Sequence, residues 1–248
     1  APDQRLQVIR ADENLGYGGA INLATVNMDV ELVCCLNPDA FPETHWLQAL
    51  EQAAAAHPNF GSFASLMLKE SDNRIIDGAG DTLHISGIPR RRYHGKSLSA
   101  VTLNTEAVFS ACAGASMYRL SSFKAIGGFD ESYFMYVEDI DLGFRLQLAG
   151  FPCLLVKDAI VEHIGSATTG EGSDFSIYYG HRNLVYAYLK NMPMLLLLIT
   201  LPIHLFANLW TILVFLTRGV SKPIFRSKWD ALKLIPAALA ARRPDRQK

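Results

Sequence analysis

Cysteine is scarce in this 248-residue chain, and its four residues have no paired spacing typical of a metal site. Cys34, Cys35, Cys112 and Cys153 lie in or beside apolar stretches, which predicts buried, reduced thiols rather than disulfides. A reducing compartment is therefore expected. The start of the chain also lacks the basic head and apolar core of a secretory signal peptide.

A large excess of charge is also missing, since the formal net charge is only −1 at pH 7, but the charges are unevenly distributed. Residues 218–248 contain nine Lys and Arg residues against Asp230 and Asp245. These basic residues adjoin a long apolar segment and do not form a basic surface with a set of base-stacking aromatic residues, so no nucleic acid partner is expected. A basic tail beside an apolar segment favours anionic lipid headgroups instead.

Charged residues are absent from residues 192–217, a stretch longer than the ~20 residues that a helix needs to cross a bilayer core. This segment is predicted to associate with a membrane. Pro202 interrupts it, so we expect two short helices bent near that residue. The basic tail and the reduced thiols both favour the cytoplasmic face of the inner (plasma) membrane, which a re-entrant or interfacial helix pair would satisfy.

Short apolar runs alternate with helical patterns in the first half of the chain. Strands are predicted at residues 6–10, 31–36 and 60–68, with helices at about 19–28 and 43–56 between them. This βαβαβ pattern predicts an α/β fold with a mixed, mostly parallel sheet and helices on both faces.

The remaining elements follow a less regular stretch at residues 70–105, which is predicted to form loops and short hairpin strands. We expect strands near 107–112, 153–156 and 159–163 and helices near 120–126, 138–149 and 174–190. The chain is therefore divided into a globular domain at residues 1–190 and a region of membrane-associated helices with a basic tail at residues 191–248.

A glycine-rich turn from Asn14 to Asn22 follows the first predicted strand and enters a helix. Its backbone N–H groups could approach a nucleotide, and the helix dipole could favour the anionic part of that nucleotide. A purely structural tight turn explains the glycines equally well. The glycine spacing differs from the dinucleotide-binding pattern, which argues against a soluble dinucleotide oxidoreductase.

Asp39 follows a buried apolar strand and lies at its carboxyl end, where open α/β sheets bind ligands. Mg²⁺ or Mn²⁺ accepts carboxylate oxygens and leaves coordination positions for a diphosphate. The alternative is a simple Asn-Pro-Asp turn before the next helix. His163 ends another strand and could join Asp39 as a metal ligand, although a lone histidine is usually structural.

Three acids occupy the first turn of the helix that is predicted to begin at Glu138. Glu138 and Asp141 share one face, and Asp141 also shares a face with Arg145. Asp139 is rotated by about 100° from Glu138, so its carboxylate could point into a cleft and act as a base. The alternative is a charged helix start that only complements the helix dipole.

Together these stretches resemble the inverting family 2 glycosyltransferases of the rhamnosyltransferase-like group. The matching segments, in the order found in that family, are residues 14–22, 36–39, 114–116, 127–141, 163–166 and 182–183. The resemblance implies a GT-A fold, a nucleotide-sugar donor and direct displacement at the anomeric carbon. It also implies a divalent cation, Mg²⁺ or Mn²⁺, and a lipid-linked or oligosaccharide acceptor.

The resemblance assigns roles to individual residues of this chain. Asp39 matches the last acid of the metal-binding motif, and His163 matches the histidine on the metal side of some relatives. Asp139 matches the base that deprotonates the acceptor hydroxyl. Residues expected on the acceptor side are Gly114, Ala115, Ser116 and Glu138. Residues expected to bind the donor are Asn14, Gly16, Gly19, Asn22, Asn37 (in place of the first Asp of the motif) and Arg182.

Two departures from the family pattern refine the expectation. The opening strand of the family, and the acid that holds its nucleotide base, are expected upstream of Ala1, so we expect an N-terminally truncated sequence. The Gln-x-x-Arg-Trp signature of processive synthases is absent, which favours transfer of single sugars.

The leading hypothesis is a membrane-associated enzyme that adds one sugar, with rhamnose as the expected one, to a lipid-linked glycan in cell-envelope polysaccharide synthesis. The alternative is a non-catalytic, membrane-bound assembly partner that binds a glycan or a nucleotide.

Overall fold

The computed structural model describes residues 5–165 and 172–242. The strands are β1 (Leu32–Leu36), β2 (Ala40–Pro42), β3 (Ser62–Lys69), β4 (Asp72–Ala79), β5 (Asp81–Leu83), β6 (Pro89–Arg91), β7 (Glu106–Val108), β8 (Ala115–Arg119) and β9 (Cys153–His163). The α-helices are α1 (Gly16–Thr25), α2 (Trp46–Ala56), α3 (Leu120–Ala125), α4 (Glu138–Leu148), α5 (Asp174–Asn191), α6 (Met194–Thr217), α7 (Ser221–Lys233) and α8 (Ile235–Ala240).

The main sheet has the order β1-β8-β3-β9-β2, with β4 beside β3 and β7 beside β9. The mixed α/β class is therefore confirmed, but the prediction of a mostly parallel sheet is wrong. Among the strands that the structure describes, only β3 and β9 pair in parallel. The cause is β8, which the sequence pattern did not reveal: it lies between β1 and β3 and runs antiparallel to both.

Helices cover both faces of this sheet, as predicted. Met117 and Tyr118 are neighbours on β8, so their side chains point to opposite faces. Met117 packs in one cluster with Leu50 of α2, whereas Tyr118 packs in another with Leu142 and Leu146 of α4. These side chains are almost fully buried, so the core has two layers that hold the sheet between them.

Residues 6–10 do not form the predicted strand. Leu6 and Val8 are 77% and 81% exposed, and no strand within the described ranges pairs with them. An extended segment gains little from its apolar residues when its backbone groups have no neighbouring strand. The alternating pattern in the sequence could not reveal this lack of a partner.

The two strands predicted near residues 153–163 are one long strand, β9. Its pairing with β3 shifts register between Ser65 and Leu66, which accommodates the exposed, charged Lys157 and Asp158 without ending the strand. This continuity matters for the site, because β9 pairs with β2 and brings His163 opposite Ala40, next to Asp39.

The apolar segment forms one helix, α6, with Pro202 inside it, so the prediction of two short helices is wrong. A proline removes only one backbone bond, and the rest of a 24-residue helix keeps its own. The first half of α6 is also held by the globular part, where His204 stacks on Tyr188 at 3.7 Å between ring centres. In the described residues, α6 is the one helix long and apolar enough to cross a membrane, judged by length and composition.

All four cysteines are free, as predicted. Their predicted burial holds for Cys35 and Cys153 only, since Cys34 is exposed and Cys112 is partly exposed. Cys112 lies at the edge of the cavity described next.

Candidate active site

A cavity of about 710 Å³ opens between the loop after β1, the β5–β6 hairpin, the start of α4 and the side of α5. It brings together six residues that the sequence analysis selected: Asn37, Asp39, Gly114, Glu138, Asp139 and His163. These residues are far apart in the chain, so their convergence comes from the sheet topology.

Asp39 and His163 face each other at one side of this cavity. The distance between His163 Nε2 and Asp39 Oδ2 is 3.7 Å, which is too long for a hydrogen bond. His163 Nδ1 instead lies 2.9 Å from Asp77 Oδ2, in a buried contact. Because the Asp77 carboxylate accepts a hydrogen bond from the Nδ1–H group, the lone pair of Nε2 is left facing Asp39.

This pair fits a divalent cation. Carboxylate oxygen and imidazole nitrogen are both ligands for Mn²⁺, and a carboxylate that orients the other imidazole nitrogen is common at metal sites. Within the described ranges, no group of three or more His, Cys, Asp or Glu side chains could hold an ion. A cation bound by Asp39 and His163 would therefore keep positions for water or for phosphate oxygens of a ligand.

Asp139 lies on the other side of the cavity, at the second residue of α4. Its Oδ1 accepts a hydrogen bond from the backbone N–H of Ile140 at 2.8 Å, and its Oδ2 accepts one from Ala113 at 3.3 Å. Burial raises the pKa of this carboxyl group, while the two N–H groups and the charge of Arg91 oppose that rise. The carboxylate is thus fixed in direction and more basic than an exposed aspartate.

Glu138 also lines the cavity, whereas Asp141, three residues further along α4, does not. Burial, followed by the charge of Asp139, raises the pKa of Glu138 to about 8. Its Oε2 atom is buried without a hydrogen-bond partner in the described part of the chain. Glu138 is therefore mostly protonated at neutral pH.

Asp141 fixes the inner side of α4, where it contacts Arg145 Nε at 2.7 Å and Lys190 Nζ at 2.7 Å. Burial alone would raise the pKa of Asp141, but Arg145 and Lys190 hold it below its ordinary value. The predicted pairing of Asp141 with Arg145 is present in the structure, and it anchors the helix that carries Asp139.

The backbone that leads into α4 is strained. Phe134, Tyr136 and Val137 all have positive φ angles, of 62°, 67° and 71°, which non-glycine residues rarely adopt. Such strain persists only where surrounding contacts determine the conformation, and it is common next to functional groups.

Asn183 on α5 supplies those contacts. Its side-chain Nδ2 donates hydrogen bonds to the carbonyl oxygens of Tyr133 at 3.0 Å, Met135 at 2.9 Å and Tyr136 at 2.8 Å. Asn183 is almost fully buried. We call Asn183 and the loop from Tyr133 to Val137 the α4 clamp, because this contact sets where α4 begins.

Arg182, which the resemblance assigned to the donor, points into the same clamp and not into the cavity. Its Nη2 donates to the carbonyl oxygens of Ser132 at 3.1 Å and Tyr133 at 3.0 Å. Its guanidinium also lies over the ring of Tyr179, 4.8 Å from the centre. The structure therefore gives Arg182 a role in holding the loop before α4.

The glycine-rich turn likewise packs on protein. Gly16 has a φ of 70°, and a Cβ atom there would lie 2.2 Å from the carbonyl oxygen of Phe134. A Cβ atom at Gly19 would lie 2.9 Å from the Leu15 side chain, so close packing explains this glycine too. The Asn14 side chain accepts a hydrogen bond from the Gly16 N–H at 3.0 Å.

Asn22, at the end of this turn, fixes a second loop. Its Nδ2 donates to the Phe129 carbonyl oxygen and its Oδ1 accepts from the Phe129 N–H, both at 2.9 Å. Gly16 and Asn22 thus contact the loops before α4, Asn14 and Gly19 act within the turn itself, and none of the four lines the cavity. Tyr17, Ala20 and Ile21 are the residues of the turn that line the cavity, and the Tyr17 hydroxyl donates to the Ala113 carbonyl oxygen at 2.7 Å.

Of the three acceptor-side residues in the 114–116 segment, only Gly114 lines the cavity. Ala115 and Ser116 lie in β8, and both are buried. Gly114 allows the close approach of Asn37, since a Cβ atom there would lie 3.3 Å from the Asn37 side-chain nitrogen.

Sequence reasoning missed three charged residues of the site: Asp77, Asp81 and Arg91. Arg91 Nη1 contacts Asp77 Oδ2 at 2.8 Å, and Arg91 is paired with Asp81 across the β5–β6 hairpin. Burial, together with the charge of Asp139, raises the pKa of Asp81 to about 7. A signal was present, because two acids in a glycine-rich stretch precede a basic cluster at hairpin distance.

Comparisons with known proteins concern the family and the fold of the chain. The sequence profile described as glycosyl transferase family 2 matches residues 1–127, which include Asp39 and Gly114. The chain is 28% identical over 190 residues to N-acetylglucosaminyl-diphospho-decaprenol L-rhamnosyltransferase of Mycobacterium tuberculosis. That alignment covers 66% of this chain and 61% of the relative, so the chain spans less than two thirds of the length of that protein.

Two further comparisons give a sequence match over a short segment and a match in fold. A segment of 50 residues, 20% of this chain and 19% of the relative, is 50% identical to rhamnosyltransferase WbbL of Escherichia coli. Among solved structures, GalNAc-T7 with UDP, GalNAc and Mn²⁺ is similar with a TM-score of 0.56 at 14% identity, over 73% of this chain and 36% of that one. At this identity the likeness shows the fold alone, which is the predicted GT-A fold.

Proposed function

The chain belongs to glycosyl transferase family 2, and we propose that it transfers a single sugar from a nucleotide-sugar donor to a lipid-linked glycan in cell-envelope polysaccharide synthesis. One observation carries this proposal: Asp139 and the Asp39–His163 pair line the same cavity. Glycosyl transfer needs a base for the acceptor hydroxyl and positive charge for the leaving diphosphate. The similar rhamnosyltransferases support rhamnose as the sugar.

We assign Asp139 as the base of an inverting displacement. The acceptor hydroxyl attacks the anomeric carbon while Asp139 takes its proton, and the bond from that carbon to the diphosphate oxygen breaks. Glu138 remains protonated at neutral pH and donates a hydrogen bond to the acceptor, which keeps the negative charge of the two acids on Asp139. A bound Mn²⁺ or Mg²⁺, held by Asp39 and His163, would supply the charge that stabilises the departing diphosphate.

The acceptor side of the cavity adjoins the apolar helix, which supports a lipid-linked acceptor. His181 of α5 lines the cavity, and its ring meets that of Phe215 of α6 edge to face, with 5.0 Å between the ring centres. The Mycobacterium tuberculosis relative is named for a diphospho-decaprenol acceptor. We propose that α6 holds this chain at the cytoplasmic face of the inner membrane, where nucleotide sugars are made.

Calorimetry of nucleotide-sugar binding tests the donor side of the proposal. Binding should require Mn²⁺ or Mg²⁺, and Asp39→Ala should abolish that requirement together with most of the affinity. Asp158→Ala, which removes an exposed carboxylate from β9, is the matched control. Equal donor binding in excess chelator would refute the assignment of Asp39 and His163.

Product analysis tests the chemistry itself. The protein, a dTDP- or UDP-sugar and a diphospho-lipid that carries N-acetylglucosamine should give a lipid one sugar heavier by mass spectrometry. Donor binding without any product across such donors and acceptors would favour a non-catalytic binding protein instead.

A further inference from the structure

Helix α7 has two separate apolar sides, and only one of them packs on the protein. Pro223, Ile224 and Ala231 are buried, on the side where α7 contacts α5. On the other side, Phe225, Trp229 and Leu232 are 51%, 63% and 56% exposed. Spacings of four and three residues place these three side chains in one stripe along the helix.

Basic residues border this stripe. At about 100° per residue, Lys222, Arg226 and Lys233 all fall within about 100° of Phe225 around the helix axis. The one acid of α7, Asp230, contacts Lys233 at 2.8 Å and Arg226 at 3.9 Å, so it offsets only part of their charge. The stripe and its border are called the α7 face below.

We propose that the α7 face lies in the headgroup layer of an anionic bilayer, with Trp229 at the boundary between headgroups and acyl chains. A tryptophan prefers that boundary because its ring is apolar and its N–H group is polar. Lysine and arginine beside the stripe can extend their charged ends to lipid phosphates while their alkyl parts stay among apolar groups.

Two observations favour a bilayer over a protein partner or a second copy of the chain. The cores of protein interfaces are depleted of lysine, whereas the α7 face has two lysines and an arginine within its border. The α7 face also adjoins α6, whose exposed surface is apolar: Lys228 of α7 donates to the Asn208 side chain of α6 at 2.6 Å.

The consequence for the enzyme is orientation. Lys228 also donates to the carbonyl oxygen of His181, which lines the active-site cavity, at 3.2 Å. A bilayer that holds α7 therefore sets the direction in which the cavity faces the membrane. This consequence rests on the proposed function, whereas lipid binding by the α7 face does not.

Tryptophan fluorescence of the whole chain in the Trp210→Phe background tests the proposal. Trp46 is buried, so in that variant Trp229 is the exposed reporter. Vesicles of phosphatidylcholine with phosphatidylglycerol should shift its emission to shorter wavelength, and brominated acyl chains should quench it. Each basic residue contributes about fivefold to binding, from about 1 kcal/mol per charge, so Arg226→Gln should weaken binding to these vesicles about fivefold.

Further variants separate the α7 face from α6. Trp229→Gln should weaken vesicle binding at least fivefold, whereas Leu47→Gln, the same kind of change at an exposed residue of α2, should not. Vesicle binding without any quenching of Trp229 would mean that α6 binds alone and would overturn the proposal. A dimer in solution that Trp229→Gln converts to a monomer would also overturn it, because the face would then bind a second copy.

A transfer assay with a short-chain, water-soluble acceptor distinguishes this inference from the proposed function. Trp229→Gln should keep the wild-type rate with that acceptor. If neither the wild type nor Trp229→Gln transfers sugar but both bind vesicles as expected above, the proposed function is wrong. Lipid binding by the α7 face is then still supported.

Discussion

Replacing Asn183 with aspartate should damage the α4 clamp without changing the shape of the side chain. The aspartate cannot donate, so the bonds to the carbonyl oxygens of Tyr133, Met135 and Tyr136 are all lost. Tyr133 keeps the bond from Arg182, which leaves two carbonyl groups to bear the loss. At about 1–3 kcal/mol for each buried group left unsatisfied, the free energy of unfolding should fall by about 2–4 kcal/mol after partial relaxation.

The turnover rate should fall by more than the loss of stability alone would cause. The clamp holds Phe134, Tyr136 and Val137 in strained backbone conformations, each of which costs about 1–3 kcal/mol. Without the clamp the loop can release that strain by moving, and α4 would carry Asp139 with it. A displacement of about 1 Å can cost about 10²-fold in rate, so kcat should fall about 10²-fold while the affinity for the nucleotide sugar stays within about twofold.

Urea unfolding and steady-state kinetics measure the two effects. Asn73→Asp is the matched control, because it makes the same chemical change at an exposed side chain that, in the described part of the chain, donates to Glu162 at 3.2 Å. Wild-type kcat in folded Asn183→Asp would show that the clamp does not position Asp139. Unchanged unfolding in urea would refute the hydrogen-bond reasoning itself.

Three further predictions follow from the buried acids. Asp77→Asn should weaken Mn²⁺ binding about 10- to 100-fold, measured by the electron paramagnetic resonance of free Mn²⁺, because Asp77 orients His163; unchanged affinity would contradict this. Asp141, whose pKa is lowered in the folded state, stabilises the fold above its ordinary pKa of 3.8, and that contribution is lost as the pH falls through the lower folded value. Asp141→Asn should therefore cost about 3–5 kcal/mol at pH 7 and much less in strong acid, by urea unfolding at each pH. Glu138 has its pKa raised from 4.5 to about 8, so its contribution to stability is full below pH 4.5 and is lost as the pH rises through 8. Glu138→Gln should therefore remove a slope of up to about 1.4 kcal/mol per pH unit in the range between these two pKa values, and an unchanged slope there would refute the raised pKa.

The ends of the central elements were predictable because local signals mark them. The helix α4 was expected at residues 138–149 and is found at Glu138–Leu148, with acids in its first turn and Gly150 at a positive φ just after it. The strands β1 and β3 were also expected close to their observed positions, since both are short apolar runs between turn residues.

Pairing between strands was not predictable in the same way. β8 carries Ser116 and Arg119 within five residues, so its apolar pattern is weak, yet it lies between β1 and β3 and makes the sheet mostly antiparallel. A strand is identified by its neighbours as much as by its own residues, and neighbours are set by the whole topology. The same reason explains why residues 6–10 look like a strand and are not one.

The site shows a similar division. Asp39, Asp139 and His163 were selected by residue type at the ends of elements, and the structure places all three on one cavity. The glycine turn and Arg182 were selected by motif, and the structure uses them to hold loops beside α4. A motif marks residues that matter at a site, but it does not distinguish those that touch a ligand from those that position them.

The rate of sugar transfer by Asp139→Asn in a single turnover, with saturating donor and metal, tests the central claim most directly. Asparagine keeps the size of the side chain but cannot take the proton of the acceptor hydroxyl, so the rate should fall by about 10²- to 10⁴-fold. Donor affinity should remain within about twofold of the wild-type value. A transfer rate within about threefold of the wild type would contradict the assignment of Asp139 as the base.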